Sequence, residues 1–437
     1  MSSPGRGIIL AAPSSGCGKT TLTLAILHAL SQAGKPVRGA KSGPDYIDPA
    51  FHAAATRRPC VNLDPWAMGE ARLKALCAGP ELLVIEGAMG LFDGAGLEGR
   101  GATADLSRNL GLPVVLIVDA AKVAHSVAPM MAGFATADAD VTVAGIILNR
   151  VGSDRHAAML KQALLPLGLP ILGMVPRDPA FALPERHLGL VQAEEHPSLQ
   201  AFLETAAMLA ARHIDLEHLA NLSAPLPEAT EAPPNLPRLG NRIAIAHDTA
   251  FAFSYPHLLD AWHATGASLH PFSPLAGQPP PPDIDAIFLP GGYPELWAGE
   301  LAAMRDVWDG VRRAAERGLP IYGECGGYMV LGETLTDAKN KTHAMAGLLE
   351  LHTSFATRKR HLGYRHLQTN HPILNGTWAG HEFHYASTVS ARGTPLFTAQ
   401  DADGEALPPM GLSSNNVFGS FAHIIDRSPL APPDAKA

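Results

Sequence analysis

The stretch IILAAPSSGCGKTT at residues 8–21 decides the fold of the first half of the chain. It is typical of a buried strand, a glycine-rich turn and the start of a helix that continues over residues 22–30. The backbone N–H groups of such a turn cradle phosphate oxygens, while Lys19 reaches the terminal phosphates and the Thr20 hydroxyl can bind Mg²⁺. The pattern departs from its usual form at Pro13, where a glycine is typical. We predict a nucleotide phosphate site formed by Ser15, Gly16, Cys17, Gly18, Lys19, Thr20 and Thr21.

Further apolar runs in the first half of the chain are separated by helix-length segments. They lie at residues 7–12, 82–85, 113–119, 143–148 and 171–175. Continuous apolar runs of this length are typical of strands that are buried on both faces of a parallel sheet. We therefore predict an α/β, doubly wound, P-loop NTPase-like domain at residues 1–222.

A proline-rich segment follows at residues 223–240, with the sequence SAPLPEATEAPPNLPRLG. Proline lacks an N–H group and fixes φ, so this segment is predicted to be an extended linker. Strand-like runs resume beyond it and indicate a second doubly wound α/β domain at residues 241–437. These runs lie at residues 242–246, 286–289 and 319–322.

Composition excludes several classes of protein. Lysine and arginine total 33 against 41 acidic residues, and the net charge of −8 has the wrong sign for a nucleic-acid or membrane-surface partner. The four cysteines form no CxxC pair, which favours a reducing compartment over a zinc site or a disulfide framework. Because the sequence shows no signal-peptide pattern and no apolar run of membrane-spanning length, we expect a cytoplasmic protein.

Two carboxylate-rich loops follow strands of the first domain. One is KSGPDYIDP at residues 41–49, and the other is EGAMGLFDG at residues 86–94. Ligands of open α/β sheets bind at the carboxyl edge of the strands, so these loops are expected beside the phosphate site. Turn formation alone would also explain Asp48 or Asp93, because aspartate before proline or glycine is common in turns. Asn149, at the end of another strand, is predicted to contact an adenine edge.

The second domain contains a nucleophile turn, IYGECGGY, at residues 321–328. A strand, a Gly-x-Cys-x-Gly turn and a helix are typical of a nucleophile elbow, in which small neighbours accommodate a strained central residue. Cys325 is expected to be exposed at the helix N-terminus, where a thiolate is stabilised. The loop LPGGYPE at residues 289–295 offers backbone N–H groups to an oxyanion. The predicted oxyanion residues are Gly291, Gly292 and Gly326.

Two other polar segments have a structural interpretation. HEFHY at residues 381–385 is not an HExxH motif and does not support a zinc peptidase; satisfied strand histidines are one interpretation, and a functional role stays equally open. The basic loop at residues 358–361 is typical of a solvated surface, although it could meet a polycarboxylate.

Together the motifs resemble those of the cobyrinate or hydrogenobyrinate a,c-diamide synthases of corrinoid biosynthesis. GCGKTT, SGPDYIDPAFH and EGAMGLFDG resemble a dethiobiotin-synthetase-like ATP domain; LPGGYPE, GECGGYM, HEFHYA and a late histidine resemble a class I glutamine amidotransferase domain of flavodoxin-like fold. The resemblance covers nearly the whole chain. Dethiobiotin synthetases have only the first half, and cobyric acid synthases are generally longer.

The resemblance implies a ligase with two sites. Cys325 attacks the carboxamide of L-glutamine with His423 as general base, and ATP with Mg²⁺ activates the a and c side-chain carboxylates as acyl phosphates that ammonia converts to amides. Related amidases carry a glutamate two residues after that histidine, whereas Ile425 stands here, so a Cys/His dyad without a third member stays open. The implied metal set is Thr20, Asp45 and Glu86. The implied substrate and acyl-phosphate set is Lys41, Asp45, Tyr46, Asp48, Glu86 and Asp93.

Several alternatives remain at this level. The alanine-rich sequence is more similar to enzymes of the aerobic route, so metal-free hydrogenobyrinic acid ranks before cobyrinic acid, and nickel-sirohydrochlorin is a more distant alternative. A homodimer is expected from the resemblance. A regulatory partitioning-type ATPase with an inactive amidotransferase domain is the alternative from another class, but such a domain has no need of the elbow cysteine.

Overall fold

A computed structural model describes residues 5–179, 185–186, 189–190, 192–195, 198–229 and 237–429. The chain forms two compact units, Met1–Pro233 (unit 1) and Pro234–Ala437 (unit 2). Residues 230–236 of the predicted linker lie outside the described residues. The start of that linker belongs to unit 1, because a short strand at Ala224–Pro225 pairs antiparallel with Arg6 and Gly7.

Unit 1 alternates strands and helices. Its strands are β1 (Arg6–Ala11), β2 (Val37–Ser42), β3 (Val61–Leu63), β4 (Leu82–Glu86), β5 (Val114–Asp119), β6 (Val143–Val151), β7 (Ile171–Pro176), β8 (Glu185–Arg186), β9 (Gly189–Leu190) and β10 (Ala224–Pro225). Its α-helices are α1 (Lys19–Gln32), α2 (Asp48–Thr56), α3 (Glu70–Cys77), α4 (Thr103–Leu110), α5 (Val127–Thr136), α6 (Asp154–Leu164), α7 (Leu199–His213) and α8 (Leu216–Asn221), and its short 3-10 helices are Leu165–Leu167 and Ala193–Glu195.

The main sheet of unit 1 has the strand order β3-β2-β4-β1-β5-β6-β7 with parallel pairing. This confirms the predicted doubly wound α/β fold and its five predicted strands. The polar sequence VRGAKS of β2 and the three residues of β3 gave no apolar run, so neither strand was predicted. Because β2 lies beyond β4, the chain reverses direction across the sheet beside β1, and the loops after β1, β2 and β4 share one edge.

Unit 2 contains more strands than helices. Its strands are β11 (Arg242–Ala246), β12 (Ser268–Phe272), β13 (Ala286–Leu289), β14 (Ile321–Glu324), β15 (Thr334–Thr336), β16 (Thr342–Ala344), β17 (Glu350–Ser354), β18 (His361–Thr369), β19 (Gly376–His384), β20 (Ser387–Arg392), β21 (Phe397–Gln400), β22 (Ala406–Met410), β23 (Leu412–Ser414), β24 (Val417–Ser420) and β25 (His423–Arg427). Its α-helices are α9 (Pro256–Ala264), α10 (Ala298–Ala303), α11 (Arg305–Glu316) and α12 (Gly326–Leu331), and Pro294–Leu296 forms a 3-10 helix.

The central sheet of unit 2 has the order β12-β11-β13-β14-β24-β23, in which only the last pair is antiparallel. Counting its parallel strands along the chain gives 2-1-3-4-5, the flavodoxin-like order that the resemblance implied. A four-stranded sheet, β16-β15-β17-β20, and a five-stranded sheet, β22-β21-β18-β19-β25, accompany it. Strands such as β17 and β18 are half-exposed and contain no continuous apolar run, so they were not predicted. Only two residues separate β24 from β25, so the five-stranded sheet begins next to the central one.

The helices in the described part of the chain are all too short or too polar to cross a membrane.

The first turn of α12 depends on a close backbone approach at Gly327, the second residue of the helix. A Cβ atom at this position would lie 1.8 Å from the carbonyl oxygen of Leu289 on the neighbouring strand. We expect Gly327→Ala to lower the free energy of unfolding of unit 2 by about 3 kcal/mol, because backbone atoms must move. Urea unfolding followed by tryptophan fluorescence measures this change.

Gly299→Ala, in α10, is the matched control. A Cβ at this position would lie 3.5 Å from its nearest neighbour, Cε1 of His343, which is an ordinary van der Waals contact. Equal unfolding midpoints for the two variants would contradict the packing argument.

Candidate active sites

The phosphate loop joins β1 to α1, as predicted. Gly16 and Gly18 have φ angles of 80° and 86°, a left-handed conformation that favours glycine. Asn149, at the end region of β6, donates from Nδ2 to the carbonyl oxygen of Cys17 at 2.9 Å. Asn149 therefore stabilises the phosphate loop by this hydrogen bond, and its contact with adenine stays a prediction. Cys17 is buried, in keeping with a small filler.

The second acidic loop is hydrogen-bonded to the phosphate loop and to the end of β1, the strand before it. Gly87 and Leu91 donate their backbone N–H groups to Leu10 and Ala12, each at 2.8 Å. Lys19 crosses the same boundary, because its ammonium group donates to the carbonyl oxygen of Met89. Burial lowers the pKa of Lys19. The two predicted motifs thus form one site.

Glu86 is the centre of this site. It ends β4 and is fully buried, with three side chains bonded to its carboxylate. Thr20 donates to Oε1 at 2.6 Å, Lys41 donates to Oε1 at 2.8 Å, and Nε2 of His52 lies 2.7 Å from Oε2. Burial opposes ionisation, but Lys41 and the hydrogen bond from His52 hold the pKa of Glu86 below its ordinary value.

Asp48 completes the charged cluster from the first turn of α2. Its Oδ2 lies 2.6 Å from the ammonium of Lys41 and 3.4 Å from the hydroxyl oxygen of Thr20. Burial and the neighbouring Asp45 raise the pKa of Asp48 to about 7. Two carboxylates, one ammonium and one hydroxyl therefore meet at the carboxyl edge of the sheet.

The other predicted acidic residues stabilise turns. Oδ1 of Asp45 accepts the backbone N–H groups of Ile47 and Asp48 at 2.7 and 2.9 Å, and half-buried Tyr46 lies in the same turn. Asp93 is exposed, and its Oδ2 accepts the N–H of Gly90 at 3.0 Å.

The geometry bears on the expected metal set of Thr20, Asp45 and Glu86, which stays a prediction. The carboxylate that lies beside Thr20 and Glu86 is that of Asp48, whereas Asp45 is engaged by the backbone of its own turn. Asp45 is held in this turn because its Oδ1 accepts the N–H of Ile47, just before α2, and the N–H of Asp48, the first residue of α2.

Sequence reasoning missed His52. Its ring is fully buried in α2 and bonded to Glu86, and the ring lies near Cys60 as well. Burial favours the neutral ring, but Cys60 and Glu86 raise the pKa of His52 to about 10. The spacing offered a signal, because His52 stands four residues after Asp48 and therefore on the same helix face.

In unit 2, Cys325 lies in the strained turn between β14 and α12. Its φ of 48° and ψ of −105° confirm the expected elbow conformation. Small neighbours are required on both sides: a Cβ at Gly326 would lie 2.8 Å from Cδ of Pro294, and one at Gly323 would lie 2.8 Å from the backbone of Gly327.

The exposure expected for Cys325 is wrong, since the side chain is only 3% exposed. Burial, followed by the nearby carboxylate of Glu295, raises the pKa of the Cys325 thiol above its ordinary range, while a hydrogen bond from the backbone of Gly326 opposes the shift. The effect of burial on the pKa of the thiol is larger than the opposing effect of the helix N-terminus. The thiol therefore requires a base to become a nucleophile.

The structure brings His423 to the elbow. A Cβ at Gly291 would lie 2.8 Å from Nε2 of His423 and 3.2 Å from Cβ of Cys325, so both side chains converge where Gly291 provides room. Gly292 lies beside Gly326, because a Cβ on Gly326 would be 3.1 Å from the backbone nitrogen of Gly292. The three predicted oxyanion glycines therefore lie close to Cys325, and their role in stabilising an oxyanion stays a prediction.

The HEFHY strand is held by an internal ion pair. Arg365 donates from two nitrogens to Oε2 of Glu382 at 2.9 and 2.7 Å, and Nε2 of His384 lies 2.8 Å from Oε1. One potential metal-ligating atom from each of His361, Glu382 and His384 lies within 4.8 Å of the other two. The guanidinium of Arg365 already balances the carboxylate, and the rings of His361 and His384 are stacked at 4.7 Å. The interpretation as satisfied strand histidines therefore holds only in part, because Nε2 of His384 has a partner whereas its buried Nδ1 has none among the described residues.

Comparison with known proteins assigns a family description to each unit. Residues 8–191 match the profile of a CobQ/CobB/MinD/ParA nucleotide binding domain, and residues 242–429 match that of a CobB/CobQ-like glutamine amidotransferase domain. The chain is 52% identical over 434 residues to a protein of Brucella anthropi, 51% over 428 residues to one of Rhizobium meliloti and 47% over 435 residues to one of Rhodobacter capsulatus. These alignments cover 96%, 97% and 97% of this chain and 98%, 99% and 100% of the relatives. All three relatives are named hydrogenobyrinate a,c-diamide synthase.

The raised pKa of Asp48 generates a prediction about stability and pH. An unfolded aspartate titrates near pH ~4, so folded Asp48 keeps its proton up to about pH 7. The contribution of Asp48 to stability is therefore greatest at low pH and falls as the pH rises from about 4 to about 7, by up to about 4 kcal/mol. In Asp48→Asn, this fall should disappear. The measurement is the free energy of unfolding of the variant minus that of the wild type, between pH 5 and 8 and without nucleotide.

The difference should grow in favour of Asp48→Asn until about pH 7 and then stay constant. Asp140→Asn, at an exposed loop position, is the control and should give a flat difference. A flat difference for Asp48→Asn would show that Asp48 is ionised throughout this range.

Proposed function

The chain belongs to the hydrogenobyrinate a,c-diamide synthase family, and from this premise we propose that it amidates the a and c side-chain carboxylates of hydrogenobyrinic acid, with ATP and L-glutamine as co-substrates. It is a carbon–nitrogen ligase that uses glutamine as the amide donor. The observation that carries the proposal is the presence, in one chain, of a complete cysteine elbow with its histidine and a phosphate loop joined to buried carboxylates.

Unit 2 supplies the ammonia. His423 takes the proton of the Cys325 thiol at Nε2, and the sulfur attacks the carboxamide carbon of glutamine. The backbone N–H groups around Gly292 and Gly326 stabilise the oxyanion that forms. The protonated ring then gives its proton to the departing nitrogen, so ammonia leaves as the C–N bond breaks. Water hydrolyses the remaining γ-glutamyl thioester to glutamate and restores the thiol.

Unit 1 activates the acceptor. A carboxylate is a poor electrophile, and transfer of the terminal phosphoryl group of ATP gives an acyl phosphate with a good leaving group. Lys19 and the N–H groups of the phosphate loop bind and orient the phosphates. Ammonia attacks the acyl phosphate, the C–O bond to phosphate breaks, and an amide forms. The same sequence is repeated for the second carboxylate.

The oxygen groups around Glu86 suit Mg²⁺, which prefers carboxylate and hydroxyl ligands. Thr20, Asp48 and Glu86 would hold the ion that accompanies ATP, with Asp48 in place of Asp45. When bound, Mg²⁺ offsets negative charge on the phosphates. Lys41 and His52 fix the two carboxylates in position by hydrogen bonds and ion pairing.

The names of the relatives support hydrogenobyrinic acid over cobyrinic acid or nickel-sirohydrochlorin. The cysteine in the strained elbow supports an active amidotransferase over the regulatory ATPase. The cytoplasmic location and the homodimer also belong to this proposal. The roles of Tyr46, Asp45 and Asp93 in binding the macrocycle stay predictions.

Replacing the nucleophile separates the two nitrogen sources. We expect Cys325→Ala to lose amidation with glutamine by at least 1,000-fold, roughly the scale for removal of a nucleophile, while amidation with ammonium chloride persists. Mass spectrometry of hydrogenobyrinic acid, incubated with ATP and Mg²⁺, should show a loss of about 1 Da per carboxylate converted. Parallel incubations use cobyrinic acid and nickel-sirohydrochlorin.

Glutamine hydrolysis that survives in Cys325→Ala would contradict the amidotransferase assignment. An unchanged mass of all three macrocycles with the wild-type protein would contradict the synthase assignment.

Replacement of the Glu86 carboxylate should have the opposite effect from Cys325→Ala: amidation is lost and glutamine hydrolysis is kept. Glu86→Gln removes the charge that engages Thr20, Lys41 and His52, so amidation should fall at least 100-fold with either nitrogen source. Glutamine hydrolysis in unit 2 should persist. Glu98→Gln, at an exposed position near the same loop, is the matched control. Wild-type amidation rates in Glu86→Gln would remove Glu86 from the site.

A further inference from the structure

We propose that Glu324 is the positioning carboxylate for His423 and so the third member of the amidotransferase site. The inference rests on the proposed function of unit 2. The carboxylate comes from the strand that precedes the nucleophile, whereas the position two residues after the histidine is occupied by Ile425. The Cys325–His423 dyad therefore becomes a triad, whose third member comes from the residue before the nucleophile and not from the segment after the histidine.

Distance and burial place the carboxylate against the histidine. Oε2 of Glu324 lies 3.5 Å from Nδ1 of His423, within ion-pair range, and both side chains are only 2–3% exposed. A buried carboxylate at this distance stabilises positive charge on the ring far more than an exposed one does.

The ring has its two nitrogen atoms on different sides of the site. A Cβ at Gly291 would be 2.8 Å from Nε2 of His423 and 3.2 Å from Cβ of Cys325, so Nε2 is the nitrogen on the nucleophile's side. Nδ1 is the nitrogen that lies near Glu324. This is the order of groups that a general base needs: nucleophile, Nε2, Nδ1 and carboxylate.

Glu324 is itself held in place by its other oxygen. Oε1 accepts the hydroxyl of Tyr322 at 2.8 Å and the backbone N–H of Ile424 at 3.0 Å. Tyr322 is fully buried, and its ring stacks between Phe288 and Phe418 at 5.7 and 5.3 Å. Burial and Glu324 raise the pKa of Tyr322, so the phenol stays protonated and remains a donor.

These contacts connect the base to the nucleophile through the backbone. Glu324 directly precedes Cys325, and Ile424 directly follows His423. The backbone N–H of Cys325 also donates to the carbonyl oxygen of Ser420 at 2.8 Å. When Nε2 takes the thiol proton, the carboxylate offsets the charge of the imidazolium without moving, and it keeps Nδ1 protonated as the proton is passed to the leaving ammonia.

A purely structural role for Glu324 is the competing explanation, since its bonds to Tyr322 and Ile424 tie two strands together. The two roles predict different kinetics. A structural carboxylate affects folding and substrate binding together, whereas a positioning carboxylate affects kcat and leaves the KM for glutamine nearly unchanged.

The test compares Glu324→Gln, Glu324→Asp and a control in steady-state glutamine hydrolysis by the full-length protein. Glu324→Gln keeps an oxygen for Tyr322 and Ile424 but removes the charge. We expect kcat to fall by roughly 10- to 1,000-fold with KM within twofold, and Glu324→Asp, which keeps the charge, to recover part of the loss. The control is Glu333→Gln, which removes the carboxylate of another histidine–glutamate pair, that with His352 at 3.1 Å; it should retain wild-type kinetics.

Amidation with ammonium chloride reports whether unit 1 and the whole chain remain intact, and it should persist in all three variants. A kcat for Glu324→Gln within twofold of the wild type overturns the inference. Should Glu324→Gln fail to fold, Glu324→Asp decides: an unchanged kcat overturns the inference and a reduced kcat with constant KM supports it. A wild-type protein that does not hydrolyse glutamine would contradict the proposed function instead.

Discussion

The ionised carboxylate of Glu86, buried at the end of a central strand, is the constraint on which the site of unit 1 depends. Such a charge is tolerated only when neighbouring groups replace water. Thr20, Lys41 and His52 do so, and they come from three different elements at the same sheet edge: α1, the end of β2 and α2. Maintaining one buried charge therefore brings the phosphate-loop helix, β2 and α2 together.

In unit 2, the constraint is the geometry of the backbone around the buried thiol of Cys325. The thiol is buried and needs a base, and the space for that base is created by glycines. Gly291 admits His423, and the positive φ of Cys325 turns the chain directly from strand to helix. In unit 1, neighbouring side chains compensate the buried charge of Glu86. In unit 2, the close approach of the backbone at glycines allows His423 to reach Cys325.

The sequence predicted those features that short-range patterns encode. The phosphate loop, the elbow and the apolar strands depend on neighbouring residues, and the structure has them where they were expected. Contacts between distant residues were harder to predict. Nothing near Asp45 indicates that its oxygen caps α2 and leaves Asp48 beside Thr20, and nothing near Glu324 indicates that β25 returns His423 to it. The burial of Cys325 likewise depends on packing from several strands.

The bonds around the elbow also restrict how the length of the chain can change. Glu324, Cys325 and Gly327 are consecutive or nearly so, and they are fixed to Ile424, to Ser420 and against Leu289, respectively. A deletion or insertion of one residue here would shift all of these partners at once. Evolution can therefore vary loop length elsewhere in the unit, as in the exposed turn at residues 338–341, but the elbow should be free of gaps in any descendant that keeps its chemistry.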